Sequence, residues 1–503
     1  MMTFVQKFLI LSPLVFLLTT PIKLESQSVI PYNLSLEQAI EIAQSNNPGI
    51  HSVRNDENIA DWAVKSAYAS LIPNATTSGG ASWQGSGEQQ FGSLTAGQLG
   101  FANQPSYLFS TYNVGLNYNI SGAAFMAPGQ AKANREATRA QVEQAETTLI
   151  QEVTQSYIEI LRQTAQALVS DQQLDRAQFN LELVRARFEV GTATAVDVAQ
   201  AEVALGRAEV SVLQTENNLS NARIRLLQRM GVRLDSDFAP TTTFTLSAPA
   251  WNPEELYDLG IQQNPNLKSL RANRSSADYT VKMAKSTYFP TVSLRAGLSG
   301  FTRQASNVGF SINSAEAQAA ASSQNCLQTN ILYSRLSNPL PPRDCSVFAI
   351  TDELTEQIRM DNQQFPFNFT SQPASAGITV SLPLFQGLNR NQQLAEARVQ
   401  LEDLDLNLKE QELALRADIA TTLATIRTAY QSARIDERNQ IVVDEQLRLA
   451  RERFSEGLAD FLELLEAETL KVEADRAQVE AIFAYHDFLT SLEAVVGTSL
   501  RIE

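Results

Sequence analysis

The sequence predicts a mainly α protein with a membrane β-barrel portion, arranged as a two-fold internal repeat of long coiled-coil helical hairpins plus four β-strands per chain. Three observations predict it. RFEVGTATAVDVAQAE from Arg187 returns as RFSEGLADFLELLEAE from Arg453, so that residue n matches n + 266 without a gap: Phe188 and Phe454, Gly191 and Gly457, Asp197 and Glu463, Gly231 and Gly497. Long helical patterns flank Gly191 and Gly457, which therefore read as the sharp bends of helical hairpins. Four other segments alternate apolar and polar residues with period two, as strands do.

The repeat divides the chain into similar halves, 29–240 and 241–503, behind a leader at 1–28. The leader, MMTFVQKFLILSPLVFLLTT, sets one lysine before an apolar run from Phe8 to Leu18, too short to span a membrane, and Ser26-Gln27-Ser28 offers a small-x-small cleavage site. It reads as a secretory signal, the alternative being a buried or disordered N-terminal strand. No later stretch approaches about 18 uninterrupted apolar residues, so no transmembrane helix is expected. A net charge of −16 and the lack of any basic run argue against a nucleic-acid partner. Cys326 and Cys345 share one loop-like region; in an exported protein they are expected to form a disulfide, with two unpaired thiols as the alternative. Neither cysteine lies near the start, so no lipid anchor is expected.

In the first half, LSLEQAIEIAQSN at 34–46 reads as a short amphipathic helix, and Asn47-Pro48 as the cap and first residue of a second, at 48–70. An offset of 217 lays this region on the second half: Asn264-Pro265 on Asn47-Pro48, with helices at 253–263 and 265–286. Strands follow at about 75–84 and 107–120, then at about 291–301 and 374–384. Leu108, Tyr112, Val114, Leu116, Tyr118 and Ile120 share one face of the second, as Val292, Leu294, Ala296 and Leu298 do in the third. Such alternation fits a lipid-facing barrel wall and equally a soluble sheet with one buried face. Between the paired strands, Ser86–Ser106 and about 302–372 are rich in Ser, Gln, Asn, Pro and Gly and read as external loops.

The hairpin helices are expected at 129–189 and 192–230, then at 389–455 and 458–496. Val153, Ile160, Ala167, Leu174, Leu181 and Phe188 recur every seven residues, as do Ile419, Ile426, Ala433, Gln440, Leu447 and Phe454, which is coiled-coil spacing. The helix at 129–189 is 61 residues long, roughly 90 Å, and those at 192–230 and 48–70, of 39 and 23 residues, match it when stacked end to end. Four strands cannot close a membrane barrel, because open edges are not tolerated in lipid. Two chains would supply eight strands and a plugged interior; three would supply twelve and room for a duct.

LSLEQAIEIAQSNNP from Leu34, the echo at Asn264-Pro265, SLPLFQGLNR from Ser381 and the two bends, in this order and spacing, resemble the TolC-like outer-membrane efflux protein family over essentially the whole mature chain. The resemblance implies a homotrimer with a 12-stranded barrel in outer-membrane lipid, a 12-helix α-barrel crossing the periplasm, and a belt of short helices near Leu34–Asn46 and Pro253–Gln263. It implies a periplasmic adaptor (membrane fusion protein) docking on the bends, with Arg187, Gly191, Thr192, Arg453, Gly457 and Leu458 as contact residues. An inner-membrane pump or ABC exporter would supply the energy for efflux or type I secretion. It also implies an acidic constriction at Glu463 and Glu466, with Asp197 at the matching place in the first copy. The family's tyrosine and arginine lock falls on Phe454 and Ala459, which lack the hydroxyl and guanidinium it needs.

The competing expectations are local. Glu463 and Glu466 could be solvated helix-face charges, both glycines could serve only the left-handed turn, and Phe188 and Phe454 read as heptad packing rather than docking. His51 and His486 are isolated, no phosphate-binding loop or metal cluster is seen, and no cofactor is expected. A soluble or peripheral coiled-coil scaffold without a pore is the alternative function. An exported enzyme would need a nucleophile, base and oxyanion constellation that the sequence does not offer.

Overall fold

The computed structural model describes residues 30–88, 90–91, 94–95 and 104–501. The expected leader and part of the loop at Ser86–Ser106 lie outside them. In chain order the helices and long strands are α1 (Leu36–Asn46), α2 (Pro48–Ala69), β1 (Asn74–Gln84), β2 (Tyr107–Ile120), α3 (Gly122–Glu189), α4 (Ala195–Met230), α5 (Pro253–Gln263), α6 (Pro265–Ser286), β3 (Thr291–Ala305), α7 (Val308–Ser334), α8 (Asp352–Asp361), β4 (Ser375–Ser381), α9 (Asn389–Ser455) and α10 (Phe461–Val496). Two compact units result. One holds the chain up to Asp61 with Asn134–Arg274 and the part from Asp403; the other holds Trp62–Ala133 and Ser275–Glu402.

In the first unit, each short helix is locked to the root of a hairpin by an asparagine. Asn47 ends α1 by donating its N–H to Ala43 O (2.9 Å), starts α2 by accepting from Gly49 N through Oδ1 (2.8 Å), and donates from Nδ2 to Arg229 O on α4 (2.8 Å). Asn264 repeats this, bonding Gly260 O, Leu267 N and Val495 O at 2.9, 3.1 and 2.9 Å. Pro48 and Pro265 follow at the first helical position, where the missing N–H costs nothing. Arg54 and Arg271 add a second matched clamp, reaching Glu146 and Glu412 on the long helices and Gln44 O and Ile261 O on the short ones.

Two apolar cores fill these roots. One gathers Leu34, Ala39, Val153, Tyr157, Ile160, Leu226 and Met230; the other gathers Leu256, Ile419, Leu423, Ile426, Tyr485, Leu492 and Val496. Buried Tyr157 donates its hydroxyl to Leu34 O (2.8 Å) and accepts from Thr241 N and Thr242 N, so its polar tip is satisfied.

The heptad stripe is buried in α9 at Ile419, Ile426, Ala433, Leu447 and Phe454. In α3 it is buried from Val153 to Ile160 and again at Leu181, while Phe188, unlike its counterpart Phe454, is 48% exposed within the single chain.

In the second unit the long strands pair antiparallel in the order β1-β2-β3-β4, with Thr77 opposite Val114, Val114 opposite Leu298 and Leu294 opposite Ile378. β1 and β4 form the two outer edges and are exposed at every position. Trp83, Val114, Leu116, Leu298, Ile378 and Val380 all point to one face, and all are exposed.

Two expectations are corrected here. The segment at 302–372 is not an irregular loop: it contains α7, a 3-10 turn at Ser346–Phe348, and α8. Ser/Gln/Asn richness concealed α7, yet Asn307 caps it through Gly309 N, and its run of alanines favours helix. Cys326 Sγ is bonded to Cys345 Sγ, and Asn330 clamps Arg343 through both its backbone N–H and its carbonyl. The helix expected from Gly129 begins seven residues earlier. Ser121 Oγ accepts from Ala124 N at its start, and Pro128 removes one hydrogen bond without ending it.

Candidate functional site at the hairpin bends

Both bends are closed by the same backbone device. Thr192 N–H donates to Arg187 O (2.8 Å) and Gly191 N–H to Phe188 O (3.0 Å); Leu458 N–H donates to Arg453 O (2.8 Å) and Gly457 N–H to Phe454 O (3.1 Å). These paired bonds need a left-handed residue, and Gly191 and Gly457 take φ of +79° and +72°. Nothing lies within 4 Å of a Cβ built at either, so the torsion and not crowding demands glycine there.

Beyond the glycine the two copies diverge. Thr194 caps α4 by accepting from Asp197 N (3.2 Å), and the Asp197 carboxylate answers by accepting from Thr194 N and Oγ1, both at 2.8 Å. Asp197 is therefore engaged in a capping box. Asp460 caps α10 by accepting from Glu463 N (2.9 Å), which leaves the Glu463 carboxylate free to pair with Arg453 (3.0 Å). Glu466, three residues on, is exposed and has no ion-pair partner among the described residues.

The bends are held together side by side. Arg187 donates to Ser455 O (2.6 Å) and lies 4.5 Å from the centre of the Phe454 ring, which packs against Phe461. Phe454 thus fills the inside of the tip, where a core of Leu181, Val184, Ala201, Leu447, Ala450, Phe461, Leu464 and Ala467 surrounds it. Gly191, Thr192, Gly457 and Leu458 stay exposed at the apex. Val190, Val196 and Leu462 join Leu458 there as exposed apolar side chains. Sequence reasoning singled out only Leu458, although Val196 and Leu462 match under the 266 offset.

Above the tip, buried polar groups join the two hairpins. Glu468 on α10 accepts from Arg176 and Asn180 on α3 (2.9 and 3.3 Å) and from Arg451 on α9 (2.6 Å). Asp475 accepts from Gln440 and Lys471, and Lys471 also pairs with Asp444. Burial works against the Lys471 charge, but the bonds to Asp444 and Asp475 outweigh it and raise its pKa. Farther along, Arg162 bonds Asp487; burial raises the Asp487 pKa while Arg162 opposes the rise. This polar ladder was not read from the sequence, where each member looked like an ordinary helix-face charge. Among the described residues no group of His, Cys, Asp or Glu could hold a metal ion.

A model of the outer membrane efflux protein family matches residues 39–232 and 354–498. The chain is 24% identical over 328 residues to Protein CyaE of Bordetella pertussis, covering 63% of this chain and 55% of that one. It is 24% identical over 270 residues to the outer membrane protein TolC of Vibrio cholerae, covering 52% and 57%. The chain thus spans little more than half the length of these curated relatives. The solved structure of the outer-membrane channel OprN superposes with a TM-score of 0.69 at 17% identity, over 92% of this chain and 90% of that one, which shows the same fold. With both halves of the repeat covered by the family model, the chain belongs to the outer membrane efflux protein family.

Proposed function

We propose that three copies of this chain form a passive, gated duct through the outer membrane, serving as the exit of a tripartite efflux or type I secretion system. The family places the protein in the outer membrane, extending toward the periplasm, and makes it a transport protein rather than an enzyme. The observation that carries the duct is the sheet: four strands with an exposed apolar face and two unpaired edges, which lipid does not tolerate in a single chain. Joining the β4 edge of one copy to the β1 edge of the next removes every edge once twelve strands close. The exposed apolar part takes in Val114, Leu116, Leu298, Ile378 and Val380, while towards the other end of the strands Ser110 and Tyr112 are covered by Pro366 and Phe369.

The helices support the same assembly. Val196, Val203 and Val210 on α4, and Ile435, Val442 and Leu449 on α9, recur every seven residues and all are exposed. Both rows start near a bend and run in opposite senses, so α4 of one copy can zip to α9 of the next. Such a head-to-tail contact closes a ring. Around that bore Glu463 and Glu466 form the acidic constriction, with Asp197 at the corresponding first-copy position. The adaptor docks on Arg187, Gly191, Thr192, Arg453, Gly457 and Leu458, and an inner-membrane pump or ABC exporter supplies the energy.

Detergent-extracted protein should contain three chains by light scattering and form single channels in planar bilayers. A non-conducting monomer that fractionates away from membranes would instead favour the peripheral scaffold.

A further inference from the structure

The four long strands carry just two charged residues, Arg295 and Arg303, and no Asp or Glu. Both arginines are on β3, and both lie on the polar face. Arg295 stands opposite Asn117 and Gly377, and Arg303 opposite Phe109, whereas the apolar positions Leu294 and Leu298 pair with Tyr118, Ile378 and Val114 on the other side. Both are exposed, and neither has an ion-pair partner among the described residues. The Arg303 guanidinium lies 3.9 Å from the centre of the Tyr107 ring and 5.9 Å from that of Phe109, which holds it in place without neutralising it. Two permanent, uncompensated positive charges stand out in a chain whose net charge is −16.

We propose that Arg295 and Arg303 form two rings of positive charge inside the strand-built part of the duct, giving it a binding site for anionic groups such as phosphate or carboxylate on passing cargo. This rests on the trimeric duct proposed above and names a property of its bore. Three copies place three guanidinium groups at each level, a pattern that selects for anions where a pore narrows. The two levels are eight residues apart, ~26 Å along the strand, well beyond the screening length of about 8 Å at physiological salt, so each ring acts by itself. The site lies on the polar face rather than the lipid face, so its ligand is dissolved in the bore and is not a membrane headgroup.

The test uses the full-length protein in bilayers of uncharged phosphatidylcholine, with inorganic tripolyphosphate added on the side facing the strands. Tripolyphosphate should block the wild-type current. The concentration for half block should rise at least about tenfold in the Arg295→Gln/Arg303→Gln variant and stay within about threefold of wild type in Arg295→Lys/Arg303→Lys, which keeps the charge. A conducting wild type that ignores tripolyphosphate, or equal block of wild type and the glutamine variant, would overturn the arginine rings and leave the duct standing. A wild type that neither trimerises nor conducts would overturn the duct and this inference with it.

Discussion

Arg185–Glu202 and Arg451–Glu468 occupy the same places in the two copies of the repeat, yet they are physically different interactions. The first joins α3 to α4 at 2.7 Å with both side chains more than half exposed, at 56% and 53%. The second joins α9 to α10 at 2.6 Å with Glu468 only 10% exposed, and the same carboxylate also takes Arg176 from the other hairpin. α10 packs against α3, whereas the matching face of α4 meets solvent. Duplication copies residues but not neighbours, and neighbours set what an ion pair is worth.

The sharpest way to break this comparison is to remove each carboxylate. Glu468→Ala leaves Arg176, 16% exposed, without its partner, and should cost about 3–5 kcal/mol; Glu202→Ala should cost less than about 1 kcal/mol. Thermal unfolding of the detergent-extracted protein reads both, and equal losses would mean the buried pair is no stronger than the exposed one.

A second contrast concerns acid. Position 486 matches 220, so His486 stands where the first copy has Ser220. His486 is 3% exposed, lies beside Phe244 and Tyr485, and neither ring nitrogen has a partner among the described residues. Burial, helped by Arg501, pushes its pKa from 6.5 down to about 4. The unfolded chain takes up this proton near 6.5 and the folded one only near 4, so stability present above pH 6.5 is lost as pH falls through that window, by about 3 kcal/mol. Urea unfolding between pH 7 and pH 4 should show the loss in wild type and a shallower slope in His486→Gln.

The glycines sharpen the comparison at intermediate scale. A Cβ at Gly231 would sit 2.6 Å from Asn46 O, and φ there is +70°, so Gly231→Ala combines a backbone clash with a strained torsion and should cost about 2–3 kcal/mol. Gly191→Ala meets only the torsion and should cost about 1–2 kcal/mol. Chemical denaturation of the two variants ranks them, and an equal or reversed order would show that the root is less tightly closed than its geometry implies.

The smallest effect separates the two bends. Asp197→Ala loses a capping box and should cost about 1 kcal/mol, whereas Glu463→Ala loses one half-exposed ion pair and should cost less than about 0.5 kcal/mol. In planar bilayers the order should reverse. Glu463→Ala with Glu466→Ala should lower cation selectivity, and unchanged selectivity would return both to solvated helix-face charges.

The repeat made the hairpins, the Asn-Pro joints and the bend glycines legible, because each is a local choice of residue imposed by a cap or a torsion. The 217 offset also carried Arg54 onto Arg271, a clamp visible in the sequence only to someone asking which arginines match. The Glu468 network escaped, since Arg176 and Asn180 come from α3, almost 300 residues away along the chain. α7 escaped because polar, uncharged composition resembles a loop whenever its caps and alanines are not weighed.

By itself the sequence determined where the chain bends, where helix yields to strand, and that each feature occurs twice, since backbone torsion and side-chain period are written within a few residues. Only the tertiary structure decided which copy of each pair is buried, that Asp197 is held by its own cap while Glu463 reaches Arg453, and that Val114, Leu116, Leu298, Ile378 and Val380 on the apolar sheet face stay exposed. Burial is a property of neighbours, and neighbours are assembled from segments that no short window of sequence contains.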